Sequence, residues 1–102
     1  MSATDVIEKT EAKEEVEVKE PGKYKVVLHN DDKTTFDFVI FILTEVFNKS
    51  MKEAAEITMF VHEKGQAVAG IYTYQIAEMK IDESITLARR AGFPLTLTAE
   101  EL

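Results

Sequence analysis

The stretch Tyr24-Lys-Val-Val-Leu-His-Asn-Asp-Asp-Lys-Thr-Thr-Phe-Asp-Phe38 decides how this chain folds. Its first five residues, Tyr24 to Leu28, are aromatic, aliphatic and β-branched and read as a short strand. His29-Asn30-Asp31-Asp32 reads as a loop, because Asn and Asp favour turns. Thr34 followed three residues later by Asp37 has the form of a capping box. A helix then runs over about residues 35–47, with Phe36, Val39, Ile40, Leu43 and Phe47 on one helical stripe. Phe38, Phe41, Ile42 and Val46 are apolar too, so this helix is expected to be central and buried on more than one side. A strand ending in polar acceptors beside a helix start is a good place for a small binding site.

Outward from that stretch the remaining elements follow. Ser50-Met51-Lys52-Glu53 is a second capping box and opens another helix. Met51, Ala54, Ala55, Thr58, Val61 and His62 share one of its faces, and Gly65 ends it. Residues 66–72 read as a strand interrupted by Gly70. Thr73 then caps a helix over about 74–90, with Ala77, Ile81, Ile85 and Ala88 as its buried stripe. Arg89 and Arg90 complement that helix's dipole and Gly92 stops it. After Pro94, residues 95–98 alternate Leu-Thr-Leu-Thr as a third strand. The order is βααβαβ, an α+β domain in which helices pack on a small sheet. Spacing alone leaves parallel and antiparallel pairing open.

The chain has 102 residues, enough for one domain with a modest core. Residues 1–22 (MSATDVIEKTEAKEEVEVKEPG) differ from the rest: they are rich in Glu and Lys and lack aromatics. They are expected to form a flexible acidic N-terminal extension, because they offer little apolar surface to offset the entropy of ordering. The folded core is expected over residues 23–102. A net charge of −7 argues against nucleic acid and anionic membranes, and suits a partner with positive charge. The absence of cysteine excludes disulfides and thiolate metal sites. No run approaches the roughly 18 apolar residues of a membrane span. The polar, acidic start does not read as a secretory signal, so the cytoplasm is the expected compartment.

Asn30, Asp31 and His62 carry the chemistry of interest. Asn30 and Asp31 close a strand, and His62 lies near the end of the second helix. If those two ends meet, an amide oxygen, a carboxylate and an imidazole converge. Nucleophilic catalysis has no cysteine to use and no serine close in sequence. A metal-dependent hydrolase would draw on His29, Asp31, Asp32 and His62, but His29 and Asp31 face the same way only if the strand continues. A receptor for an ammonium group suits the trio better. R–NH3+ has three donors and no acceptor, and its desolvation is costly unless each donor finds a partner. From chemistry alone, the same residues are also consistent with a plain turn and a helix end.

The segments YKVVLHNDDKTTFDFV, VHEKG, GIYTYQIAEMK and Pro94-Leu95 together resemble the ClpS adaptor family, over about residues 24–100. The order and spacing of N-D-D-x-T, V-H-x-x-G and A-E-x-K make the resemblance specific. It implies a three-stranded antiparallel sheet packed with three helices. It implies an adaptor without catalytic residues or cofactor, the milder alternative being an adaptor that modulates the unfoldase without reading N-termini. Such adaptors bind N-degrons, substrates whose first residue is Leu, Phe, Tyr or Trp, and deliver them to a ClpA-like AAA+ unfoldase partnered with the ClpP peptidase. The chain is expected to be a monomer. Carried over by position, the amino terminus falls on Asn30, Asp31 and His62, with Asp32 as a loop organiser. The side-chain pocket falls on Thr34, Phe36, Val39, Thr58, Val61 and Leu95, with Leu28 and Met59 beside it. Unfoldase contacts fall on Glu78 and Lys80, while Gln75 replaces a frequent Glu. The chain departs from the family at the pocket. Thr35-Phe36 stands where many members have Pro-Met, whose methionine borders the mouth and helps reject β-branched first residues. Thr58 stands where many have Met. The extension would help hand over substrate.

Overall fold

The central strand forms because Val26, Val27 and Leu28 are essentially inaccessible, at 0%, 2% and 0% exposure. The structure, a computed structural model, describes residues 22–102. The expected flexible extension therefore lies, apart from Gly22, outside the described residues. The elements are β1 (Lys23–His29), α1 (Phe36–Glu45), α2 (Met51–Lys64), β2 (Gln66–Thr73), α3 (Tyr74–Arg90) and β3 (Thr96–Glu101). The βααβαβ order is the expected one. The sheet runs β2-β1-β3 with both pairings antiparallel, so the first strand is in the middle.

Alternation along β1 sends Val26 and Leu28 into the core. Their partners on β2 are Gly70 and Ala67, and on β3 Ala99 and Leu97. Three of these four partners, Gly70, Ala67 and Ala99, are small and leave room for the helices, while Leu97 joins the core. The register shifts between Val26 and Val27, so that Ala69 on β2 has no partner opposite. Gly70 is required for a separate reason: a Cβ there would collide with the Tyr72 ring.

From α1, Val39, Ile42 and Leu43 are buried, followed by Val46 and Phe47. Phe36 and Phe41 remain 43% and 44% exposed, so α1 is less enclosed than its composition suggests. Its cap is Thr35, whose Oγ1 accepts from the Phe38 N–H at 3.2 Å. The expected Thr34–Asp37 capping box is not formed, because Thr34 is drawn into the preceding loop. The capping box at α2 is formed in both directions: Glu53 N–H donates to Ser50 Oγ at 3.1 Å and Ser50 N–H to Glu53 Oε1 at 3.2 Å. Those hydrogen bonds from Ser50 hold the Glu53 carboxyl below its ordinary value. Gly65 ends α2 with φ 95°, in the left-handed region glycine enters freely. Met51, placed on one face with Ala54, Thr58 and Val61, is 68% exposed as the first residue of the helix.

Thr73 precedes α3 but makes no side-chain cap. Ala77, Ile81, Ser84 and Ala88 form the buried face of α3. β3 starts at Thr96, not Leu95, and extends to Glu101, since its pairing with β1 continues to Tyr24.

Candidate functional site

The corner quoted at the outset is built by backbone hydrogen bonds. Past the end of β1, the Asn30 N–H donates to the Gly65 carbonyl at 2.9 Å. His29 pairs with Gln66, the first residue of β2. The left-handed turn at Gly65 thus brings the last turn of α2, which carries His62, alongside the end of β1. This one contact closes the sequence separation between Asn30 and His62.

The loop after Asn30 is organised by Asp31. Its Oδ1 accepts from Lys33 N–H at 2.8 Å and Thr34 N–H at 2.7 Å, and its Oδ2 accepts from Thr34 Oγ1 at 2.7 Å. The role expected of Asp32 therefore falls on Asp31, and Asp32 is exposed. Partial burial pushes the Asp31 carboxyl upward. The hydrogen bonds from Thr34 and Lys33, aided by the charge of Arg89, outweigh it and hold the group below its ordinary value. A carboxylate has about four lone-pair sites, so Oδ2 keeps one open after the loop is satisfied.

A hollow of about 260 Å³ lies at this corner, lined by Leu28, His29, Asn30, Asp31, Asp32, Thr34, Phe36, Val39, Thr58, Val61, His62 and Leu95. All nine residues assigned to amino-terminus and side-chain binding line it, and so does Leu28. Met59 does not; it is 45% exposed on α2. The walls divide by polarity. Leu28, Leu95, Thr58, Val61 and Val39 are buried, while Asn30 and His62 are exposed at the rim. Phe36 stands at the mouth, its ring edge-on to His62 with centroids 5.1 Å apart. Edge-to-face packing of this kind orients the imidazole. The contact had no signal in the sequence, because Phe36 and His62 sit on different helices.

Two further residues bear on the hollow's walls. His29 lines it as well, with Nε2 engaged 2.8 Å from Thr98 Oγ1 on β3. Among the described residues, no three His, Asp or Glu side chains converge on a point. Arg89 was read only as a dipole partner of α3. Its Nη1 also donates to the Phe93 carbonyl at 2.8 Å and the Leu95 carbonyl at 3.1 Å, which fixes the segment that brings Leu95 to the hollow.

Glu78 and Lys80 lie on α3, outside the hollow, and both are half-buried. Lys80 is not a free surface cation. Its Nζ donates to the Val46 carbonyl at 2.8 Å and sits 5.9 Å from the Phe47 ring centroid and 5.4 Å from that of Tyr72. Among the described residues, no helix is long and apolar enough to cross a membrane.

Residues 19–98 match the model of the family described as ATP-dependent Clp protease adaptor protein ClpS. The chain is 51% identical over 94 residues to the ATP-dependent Clp protease adapter protein ClpS of Nautilia profundicola, covering 92% of this chain and 97% of that one. It is 45% identical over 101 residues to the corresponding adapter of Shewanella halifaxensis, covering 99% of each. A solved structure of Agrobacterium tumefaciens ClpS2 bound to L-phenylalaninamide superposes with a TM-score of 0.79. The two are 40% identical, over 81% of this chain and 100% of that one.

Proposed function

We propose, because this chain belongs to the ClpS family of Clp protease adaptors, that it captures the free amino terminus and bulky apolar first residue of N-degron substrates for delivery to a AAA+ unfoldase. An adaptor joins substrate to protease and catalyses nothing itself. The observation that carries the reading is the division of one small hollow into a rim of acceptors and an apolar interior. Asn30 Oδ1, the open Oδ2 lone pair of Asp31 and a neutral His62 nitrogen offer three acceptors to the three donors of an ammonium group. Each such hydrogen bond to a charged group is worth about 1.5–3 kcal/mol.

Inside, Val39, Val61, Leu28 and Leu95 receive the first side chain, and burying a Leu or Phe there contributes about 1.5–3 kcal/mol. At about 260 Å³ the hollow falls below the range of roughly 300–1,000 Å³ typical of drug-sized ligands. It suits a single residue. L-phenylalaninamide, the ligand of the related Agrobacterium protein, has both halves of this chemistry, a free α-amino group and a benzyl side chain. Specificity comes from demanding the two together. An acetylated terminus lacks the charge and a donor, and an internal Phe lacks the ammonium altogether.

The partner in this reading is a ClpA-like unfoldase with its ClpP peptidase, met by the α3 face that bears Glu78 and Lys80. The protein works as a cytoplasmic monomer, with residues 23–102 as the binding core and residues 1–22 as an extension that assists transfer. Titration with a labelled Leu-first peptide and its N-acetylated form tests the central claim. Acetylation should abolish binding; equal affinity for the two peptides would overturn the reading.

A further inference from the structure

The hollow is graded in depth. Asn30, His62 and Phe36 form its exposed mouth, whereas Leu28, Leu95 and Thr58 are 0%, 1% and 3% exposed at its base. A side chain that enters with its α-amino group held at the rim ends against the base. Two polar side chains are buried among the described residues, Thr58 and Ser84, and only Thr58 lines the hollow.

The state of that hydroxyl is defined. Thr58 Oγ1 donates to the Ala54 carbonyl at 2.7 Å, one turn back in α2. Its one proton is therefore committed within the helix, and what the oxygen has left is acceptor capacity. An apolar tip arriving here strands no donor, so Leu and Phe are tolerated. A phenol O–H arriving here would lose water among apolar neighbours, at a cost unless it meets an acceptor.

We propose that Thr58 reads the far end of the first side chain, its Oγ1 accepting a hydrogen bond from the phenol of an amino-terminal tyrosine, so that tyrosine is favoured over phenylalanine. This inference rests on the amino-terminus reading above and assigns that site a substrate preference. The hydrogen bond balances simply: phenol donates to Oγ1, and Oγ1 continues to donate to Ala54.

The test compares peptides that differ only in the first residue, Tyr, Phe or 4-fluorophenylalanine, by fluorescence anisotropy on the parent protein, Thr58→Val and Thr58→Ser. The Tyr-to-Phe affinity ratio should fall about two- to tenfold in Thr58→Val, the range of one neutral hydrogen bond. It should be kept in Thr58→Ser, which retains the oxygen. On the parent, 4-fluorophenylalanine should rank with Phe, since fluorine fills the para position without donating. This arm needs no variant to fold. A ratio indifferent to Thr58→Val, or 4-fluorophenylalanine binding as tightly as Tyr, overturns the role of Thr58 alone. A parent protein that ignores every peptide overturns the amino-terminus reading, and this inference with it.

Discussion

Asp31 accepts three hydrogen bonds from its own loop before any ligand arrives. Asp31→Ala should therefore do two things at once. It should weaken peptide binding by removing an acceptor for the ammonium, and it should loosen the loop, costing about 0.5–2 kcal/mol, as loss of a comparable capping side chain does. Faster amide exchange at Lys33 and Thr34, with the core still protected, is the expected signature; global unfolding would show that the loop supports the whole domain. The sign of the pH effect follows from the lowered Asp31 value. A carboxyl lowered on folding contributes stability that is present above its unfolded value and lost as pH falls through the folded one. Asp31 therefore stays ionised through the neutral and mildly acidic range, and any loss of affinity there must come from another group. In the proposed site, His62 supplies the third acceptor at the rim of the hollow. His62→Ala should therefore weaken Leu-first peptides about tenfold or more, the range of one hydrogen bond to a charged group, read by titration at pH 7 with the fold checked by circular dichroism; unchanged affinity would remove His62 from the amino-terminus site.

At the scale of elements, α3 is tied to the rest of the molecule by two cations, one in its first half and one in its last turn. Lys80 reaches the Val46 carbonyl beyond the end of α1 and lies near two aromatic rings. A hydrogen bond from a charged donor contributes about 1.5–3 kcal/mol and a partly exposed cation–π contact about 0.5–1 kcal/mol. Lys80→Met should accordingly lower stability by about 1–3 kcal/mol, read as a shifted urea midpoint, whereas Glu78→Gln should stay within about 0.5 kcal/mol. In the last turn, Arg89 clamps the carbonyls of Phe93 and Leu95. Arg89→Met should free the Leu95 wall and weaken Phe-first and Leu-first peptides, with Arg89→Lys restoring the charge near Asp31 but not the clamp. Neither tie was legible in the sequence. Periodicity gives the face a residue occupies, and by count Lys80 flanks the buried stripe of α3 while Arg89 falls on a solvated face, but it does not give the carbonyl that a long side chain reaches on a neighbouring segment. Capping failed for a different reason. Ser50 and Gly65 were readable because each has one local candidate role, while Thr34 was misassigned although its partner is equally local, because Asp31 three residues back competed with Asp37 three residues on.

The molecule as a whole was most legible where local signals agreed. Turn residues, capping and apolar spacing fixed the βααβαβ order, and the N-D-D-x-T, V-H-x-x-G and A-E-x-K segments pointed to the family. What they could not supply was the meeting of distant ends, such as the Asn30–Gly65 hydrogen bond and the packing of Phe36 on His62, since neither pair is adjacent along the chain. Charge is the remaining property of the entire chain, and it is unevenly spread. Residues 1–22 hold seven acidic and three basic side chains, so −4 of the net −7 belongs to the extension. A field of that sign draws cationic ligands toward the protein and acts on the association rate more than on the final contacts. Peptides with Leu first and Lys at the next two positions should thus associate faster than matched Glu peptides at low salt. The advantage should shrink as ionic strength rises toward 0.15 M, where the screening length is about 8 Å. A chain starting at Gly22 should keep its dissociation rate and show a shallower salt dependence of association, because the core alone carries −3. Stopped-flow measurement of both chains decides it: an unchanged salt slope after removal of the extension would mean that the charges steering the peptide reside on the core, beside the hollow itself.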